Sequence, residues 1–180
     1  MSELEPPVDA ALDHVEGGGE DGPTLVLFGD YECPYTAPAW RVVEALRRRE
    51  GDRSRFVFRH FPLIAKHPHA LGAAEAAEAA ALQGRFWAMH RELFTDRHAL
   101  GPGDLRVHAA AAGLDLERFD ADVAGHRSLA RVERDIASGK RSGVSGTPTF
   151  FVDGRRYEGF YDVETLTDEL AFARAARAGT

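Results

Sequence analysis

The one cysteine of this 180-residue chain, Cys33, is the side chain with the clearest potential for chemistry. The apolar run 24–28 precedes it and is typical of a strand buried on both faces of a sheet. Downstream, apolar residues recur at helical spacing at Trp40, Val43 and Leu46. A thiol between such a strand and helix faces the unpaired amides and the positive end of the helix dipole, which favour its thiolate. The cysteine is therefore a candidate nucleophile.

The neighbours of this cysteine have opposing effects on it. Pro34 suits the first position of a helix, whereas the carboxylates of Asp30 and Glu32 disfavour a nearby thiolate. Thr36 follows the cysteine by three residues. Its hydroxyl and amide either reach the sulfur or only complete the first helical turn, and the sequence leaves both interpretations open. Tyr35 is expected to shape the surface beside the sulfur.

Residues 31–36, Tyr-Glu-Cys-Pro-Tyr-Thr, resemble the active-site region of the DsbA-like branch of the thioredoxin superfamily. That branch carries Cys-x-x-Cys at the start of its first helix, and Thr36 stands here in place of the second cysteine. In the family the first cysteine attacks a disulfide and the second resolves the mixed disulfide. Residues 60–63 match the family as well, and residues 13–17 resemble the lead-in of bacterial DsbA-like domains, including those fused to sodium/proton antiporters.

A second informative stretch, residues 143–149, contains a proline directly before an apolar strand. Proline is acceptable in a sheet mainly at a strand's first residue or on an edge, so an ordinary turn proline is one interpretation. The resemblance instead implies a cis peptide bond beside the cysteine and a preceding residue whose backbone binds substrate. The predicted catalytic residues are Cys33, Thr36 and Pro148, and the predicted substrate-binding residues are Pro34, Tyr35 and Thr147.

Other polar side chains carry weaker signals. His60, His67 and His69 lie close in sequence, but they lack a metal-ligand cysteine pair or a helical His-x-x-x-His, so no metal site is predicted. Glu75 and Glu78 lie on one turn of an alanine-rich helix, and a solvated helix face is the interpretation we adopt for them. We expect no bound cofactor.

The remaining pattern predicts an α/β fold. A second strand at 55–59 completes a βαβ unit, residues 64–127 contain helical but no strand patterns, and Asp153-Gly154 joins two strands of a hairpin. Asp162 is placed to cap a last helix. The order matches the thioredoxin-like fold with a helical insertion at about 64–127, as in DsbA-like proteins. We expect a mobile arm at 1–22 and one domain at 23–180.

The composition and charge of the chain limit the kinds of partner and the location that we expect. A net charge of −7 and a pI near 5.6 give no basic surface for nucleic acid or anionic membranes. No apolar run approaches the ~20 residues that span a bilayer, so no membrane insertion is expected. The acidic N-terminus does not resemble a secretory signal, and one cysteine fits a reducing compartment, so the expected location is cytoplasmic. The oligomeric state stays open.

Three functions agree with these features. The first is a monothiol thiol–disulfide oxidoreductase that forms mixed disulfides with protein or low-molecular-weight thiol substrates, and a thiol such as glutathione resolves them as co-substrate. The second is a non-catalytic binding module that retains the fold. The third is a glutathione-dependent isomerase or transferase, in which the reactive thiol belongs to the cofactor and Thr36 stabilises it.

Overall fold

The computed structural model describes residues 2–19 and 21–179. Five strands and seven α-helices follow one another as ββαβ, five helices, then ββα. The strands are β1 His14–Gly17, β2 Thr24–Gly29, β3 Arg55–His60, β4 Thr149–Val152 and β5 Arg155–Tyr157. The helices are α1 Thr36–Glu50, α2 Ala70–Ala81, α3 Phe86–Leu93, α4 Pro102–Ala111, α5 Leu116–Ala124, α6 Leu129–Arg141 and α7 Val163–Ala178, and a 3-10 turn covers Gly51–Arg53.

A single five-stranded sheet in the order β1-β3-β2-β4-β5 forms the centre of the protein. Strand β2 lies parallel to β3 and antiparallel to β4, and all six of its residues are buried. Its side chains alternate between the two faces, because Leu25 and Leu27 join one apolar cluster and Val26 and Phe28 the other. The predicted α/β order with a helical block is therefore confirmed.

The larger apolar cluster joins β2, β3 and β4 to α1, α7 and the helices of the insertion. The smaller cluster, on the other face, includes Phe28 and Phe61, against which α6 packs closely. A Cβ atom at Gly139 of α6 would lie 2.6 Å from the ring of Phe61, so only glycine permits this approach. Both sides of the sheet are thus covered, which explains why β2 reads as a continuous apolar run. Within the described residues, no helix is long and apolar enough to cross a membrane.

The N-terminal segment differs from the predicted mobile arm. Strand β1 pairs antiparallel with β3, and the side chain of Leu4 enters the smaller apolar cluster. The Arg156 amide donates to the Ser2 carbonyl oxygen at 3.0 Å, and Glu3 forms an isolated bridge with Arg155. The proline and glycine content of this segment suggested a mobile arm. Its contacts were not predictable from the sequence, because the partners in β3 and β5 lie far along the chain.

Local turn and cap signals are reproduced. Asp153 and Gly154 both have positive φ, at 49° and 80°, as a two-residue type I′ hairpin turn requires. The Asp162 side chain accepts a hydrogen bond from the Thr165 amide at 2.9 Å and caps α7. Pro102 begins α4 at a position where its missing amide has no cost.

Candidate active site

Cys33 lies in the tight turn that joins β2 to α1. Its amide donates to the Asp30 carbonyl oxygen at 3.2 Å, and its own carbonyl oxygen accepts from the Thr36 amide at 3.2 Å. Cys33 lies at the predicted junction of strand and helix, three residues before α1, and it is only 2% exposed. Its sulfur is therefore almost completely shielded from solvent. Pro34 also precedes the helix instead of occupying its predicted first position.

Thr147 and Pro148 lie against this sulfur, although 114 residues separate Thr147 from Cys33. The Cys33 Sγ donates to the Thr147 carbonyl oxygen at 3.3 Å, and the Thr147–Pro148 peptide bond is cis. Antiparallel pairing of β2 with β4, which sets Phe28 opposite Thr149, brings the two segments together. The carbonyl is a partner for the protonated thiol only, so forming a thiolate breaks this hydrogen bond. The Thr147 Oγ1 is buried and has no hydrogen-bond partner among the described residues.

Thr36 is fully buried and contacts the loop backbone. Its amide donates a hydrogen bond to the Cys33 carbonyl oxygen, and its Oγ1 accepts one from the Asp30 amide at 3.4 Å. A Cβ atom at Gly29 would lie 2.9 Å from the Thr36 methyl group, which shows how tightly this side chain is packed. Of the two interpretations of Thr36, this geometry favours completion of the turn.

Pro34 and Tyr35 are the exposed members of the turn. The Tyr35 side chain is 65% exposed and makes no capping hydrogen bond to α1. Together they form the solvent-exposed part of the turn that contains Cys33.

Asp30 organises the loops around Cys33, a role that was not predicted from its local sequence. Its buried carboxylate accepts from the Glu32 amide at 2.8 Å through one oxygen, and from the Leu63 amide at 2.8 Å through the other. The second oxygen also lies 2.7 Å from His67 Nδ1. Glu32 in turn accepts from the His69 amide at 2.7 Å. The position of an acid directly after a buried strand was the available signal for such a role.

A buried group with the chemistry of a metal centre lies between β3, α2 and α6. Ligand atoms of His60, Glu78 and Asp135 all lie within 4.8 Å of one another. In the structure these residues are already bonded: His60 Nε2 lies 2.8 Å from a Glu78 oxygen, His14 Nε2 lies 2.8 Å from the same oxygen, and Asp135 pairs with Arg131. An adjacent arginine is an unfavourable neighbour for a cation, so the arrangement fits an ion-pair network better than a metal centre.

The solvated-face interpretation of Glu75 and Glu78 is wrong, because both are buried, at 5% and 3% exposure. Glu75 lies 2.7 Å from His126 Nδ1. Burial alone would raise the pKa of Glu78, but hydrogen bonds and charge from His14 and His60 outweigh it and hold that pKa far below its ordinary value. The partners come from other elements, so the local alanine-rich pattern gave no sign of them.

A strand, a cysteine at the following helix start and a cis-proline loop against its sulfur define a DsbA-like protein of the thioredoxin superfamily. A family profile described as Thioredoxin matches residues 12–170, and the chain belongs to this family.

Curated relatives that the chain matches are longer proteins. The chain is 48% identical over 177 residues to a Na(+)/H(+) antiporter NhaA of Herminiimonas arsenicoxydans, and the match covers 98% of this chain but 28% of that protein. It is 44% identical over 170 residues to Na(+)/H(+) antiporter NhaA 1 of Mycolicibacterium gilvum, covering 93% of this chain and again 28% of the relative. The chain thus spans less than a third of the length of these relatives.

Solved structures share the fold along nearly the whole chain. A thioredoxin-like oxidoreductase from Silicibacter pomeroyi has 30% identity and a TM-score of 0.81, covering 93% of this chain and 94% of that one. Oxidised BdbD from Bacillus subtilis has 20% identity and a TM-score of 0.83, covering 97% of this chain and all of that one (100%). The second likeness shows the fold alone.

Proposed function

We propose that the protein is a monothiol thiol–disulfide exchange protein whose nucleophile is Cys33. The observation that carries the proposal is the position of the Cys33 sulfur, 3.3 Å from the Thr147 carbonyl oxygen and beside Pro148. A substrate backbone that pairs with the Thr147 segment would place its disulfide next to this sulfur. The thioredoxin-like oxidoreductase from Silicibacter pomeroyi, at 30% identity, supports the same general activity.

The proposed cycle has two exchange steps. The Cys33 thiolate attacks one sulfur of a substrate disulfide, a Cys33–substrate S–S bond forms, and the other substrate sulfur leaves as a thiolate that takes up a proton. A low-molecular-weight thiol such as glutathione, as its thiolate, then attacks the substrate sulfur of this mixed disulfide. Cys33 is released, and the substrate leaves as a mixed disulfide with the small thiol. The protein undergoes no net redox change, so no resident cofactor is needed.

In this proposal Pro148 and Thr147 orient the substrate, Pro34 and Tyr35 contact it, and Thr36 holds the turn. The expected substrates are protein disulfides or small disulfides, and the expected compartment is the cytoplasm, where small thiols are abundant and reduced.

Intact mass spectrometry after exposure to oxidised glutathione tests the proposal. We expect one reversible adduct per chain, removed by excess reduced glutathione, and no adduct on the Cys33→Ser variant. Native Cys33 should also react with iodoacetamide in the folded protein, without denaturant. A native chain that forms no adduct, or a Cys33→Ser variant that retains full thiol-transfer activity, would contradict the proposal; retained activity would favour the cofactor-thiol alternative.

A non-catalytic binding module is the second candidate, because Cys33 is 2% exposed and its thiol is hydrogen-bonded to a carbonyl oxygen. The matched region is also only 28% of the antiporter relatives, which is consistent with a module attached to a transport protein. A Cys33 that reacts only after unfolding, together with unchanged partner binding by Cys33→Ser, would favour this candidate.

A further inference from the structure

A groove of about 370 Å³ begins next to the candidate nucleophile, a volume in the range of small-ligand sites. It runs between the first turns of α1 and the segment that follows α3. We refer to it as the Arg41 groove. The residues that bear on its chemistry are Pro34, Ala37, Arg41, Phe94, Asp96 and Arg97.

The two guanidinium groups of this groove are not held by acidic side chains in the described parts of the chain. Neither Arg41 nor Arg97 forms an ion pair or a side-chain hydrogen bond within the described parts of the chain. Many other arginines are paired with acids: Arg59 bonds Asp13 in the interior, and Arg91 bonds Glu16 nearer the surface. In a chain of net charge −7, a groove lined by these two guanidinium groups and one carboxylate has a local excess of positive charge, which attracts anions.

We propose that the Arg41 groove binds a carboxylate-bearing, peptide-like low-molecular-weight thiol or its disulfide. Guanidinium groups match carboxylates in shape and charge, so Arg41 and Arg97 would hold the carboxylates. Asp96, of which one oxygen accepts the His98 amide at 2.9 Å, is available to an ammonium group. Phe94 and Ala37 provide apolar walls.

The location of the groove connects the ligand to the chemistry. Pro34 lines it and directly follows Cys33 in the chain, so the groove reaches the residue next to the nucleophile. This inference rests on the proposed exchange function and specifies its co-substrate: an anionic thiol, preferred over a neutral one. The reaction remains the two-step exchange above, with the bound thiolate as the attacking group in the second step.

Two disulfides test the charge requirement: oxidised glutathione, which carries carboxylates, and hydroxyethyl disulfide, which is uncharged. For each we would follow the rate of Cys33 adduct formation by intact mass. In the Arg41→Gln/Arg97→Gln double variant, we expect the rate with oxidised glutathione to fall about tenfold or more, the factor expected from losing charge-assisted hydrogen bonds. The rate with hydroxyethyl disulfide should stay unchanged.

The matched control is Arg49→Gln/Arg85→Gln, which removes the same charge at exposed positions outside the groove. A selective loss in the groove variant alone supports the site. Equal losses in both variants, or no loss in the groove variant, would overturn it.

Equilibrium binding separates this inference from the exchange function. S-methylglutathione keeps the carboxylates but has no free thiol, so its titration by calorimetry does not depend on Cys33 reactivity. Saturable binding that the groove variant loses and the control variant keeps supports the site even if Cys33 forms no adduct. Absence of binding to the native chain overturns it, even if Cys33 exchanges with both disulfides.

Discussion

The surroundings of Arg59 and of Cys33 show two ways of burying polar groups in one domain. Arg59 is fully buried, and its guanidinium group donates to both Asp13 oxygens, at 3.0 and 2.8 Å, and to Ser138 Oγ at 2.8 Å. Around Cys33, by contrast, the sulfur has a single hydrogen-bond partner among the described residues, the Thr147 carbonyl oxygen, and this hydrogen bond is lost when the thiol ionises. The saturated cluster holds the N-terminal segment on the sheet, whereas the Cys33 sulfur is held by one neutral hydrogen bond.

The two sites differ in what a substitution is expected to change. Burial alone would raise the pKa of Asp13, but the hydrogen bonds and charge of Arg59 outweigh it and hold that pKa below its ordinary value. Such a pair costs several kcal/mol when one partner is removed. Changes near Cys33 should instead alter chemistry while leaving the fold intact.

The largest expected effect is a new redox couple in the Thr36→Cys variant. Thr36 is buried and follows Cys33 by three residues, which is the sequence spacing of the Cys-x-x-Cys motif, and its amide donates to the Cys33 carbonyl oxygen at 3.2 Å. We expect mild oxidation to remove two hydrogens per chain, read by intact mass, and dithiothreitol to restore them. Thr36→Ser is the control, since it cannot form the bond. Two thiols that both remain alkylatable after oxidation would contradict the geometry described.

Removing the charge of Arg59 should produce the largest loss of stability. Arg59→Met leaves Asp13 buried without its main partner, so we expect the free energy of unfolding to fall by about 3–5 kcal/mol in urea titrations. Alkylation of Cys33 in the folded protein should keep its wild-type rate. A loss below about 1 kcal/mol would show that the cluster does not hold the N-terminal segment.

Glu78 should make stability depend on acid pH. Its folded-state pKa is lowered by His14 and His60, so its contribution is complete above its ordinary pKa of 4.5 and is lost as the pH falls below that value. Glu78→Gln should cost about 1–3 kcal/mol at pH 7, and the difference from wild type should shrink between pH 5 and the acid limit of folding. Urea titrations at several pH values measure both. Parallel stability curves would rule out this linkage.

The smallest effect is expected for an exposed ion pair. Arg141 lies 3.9 Å from Glu5, with side chains 47% and 65% exposed. Arg141→Gln should change the free energy of unfolding by no more than about 1 kcal/mol. A larger loss would mean that exposed charges also anchor the N-terminal segment, which would weaken the contrast with Arg59.

Features encoded locally were predictable from the sequence. The apolar run of β2, the Asp153-Gly154 turn and the Asp162 cap each depend on a few adjacent residues, and together they define the order of elements. The adjacency of Cys33 and Thr147 followed only from the resemblance to a known family, because no local signal spans 114 residues.

Features that depend on distant partners were not predictable. Strand β1 has four residues and no long apolar pattern, and its attachment depends on β3 and on Arg59, 46 residues from Asp13. Glu78 is indistinguishable from a surface glutamate until His14 and His60 are in place. Arg41 and Arg97 likewise gave no sign of sharing a groove, since they belong to different segments.

The path of the N-terminal segment has a consequence for aggregation. Ser2 and Glu3 of the segment form backbone contacts with β5 at one edge of the sheet. Further along the chain, β1 pairs with β3 at the other edge. Exposed strand edges are templates for pairing with other chains, and short outer strands blunt that tendency. Here the outermost strands have only four and three residues. A chain cut after β1 would uncover the whole side of β3, and intermolecular sheet growth would begin there.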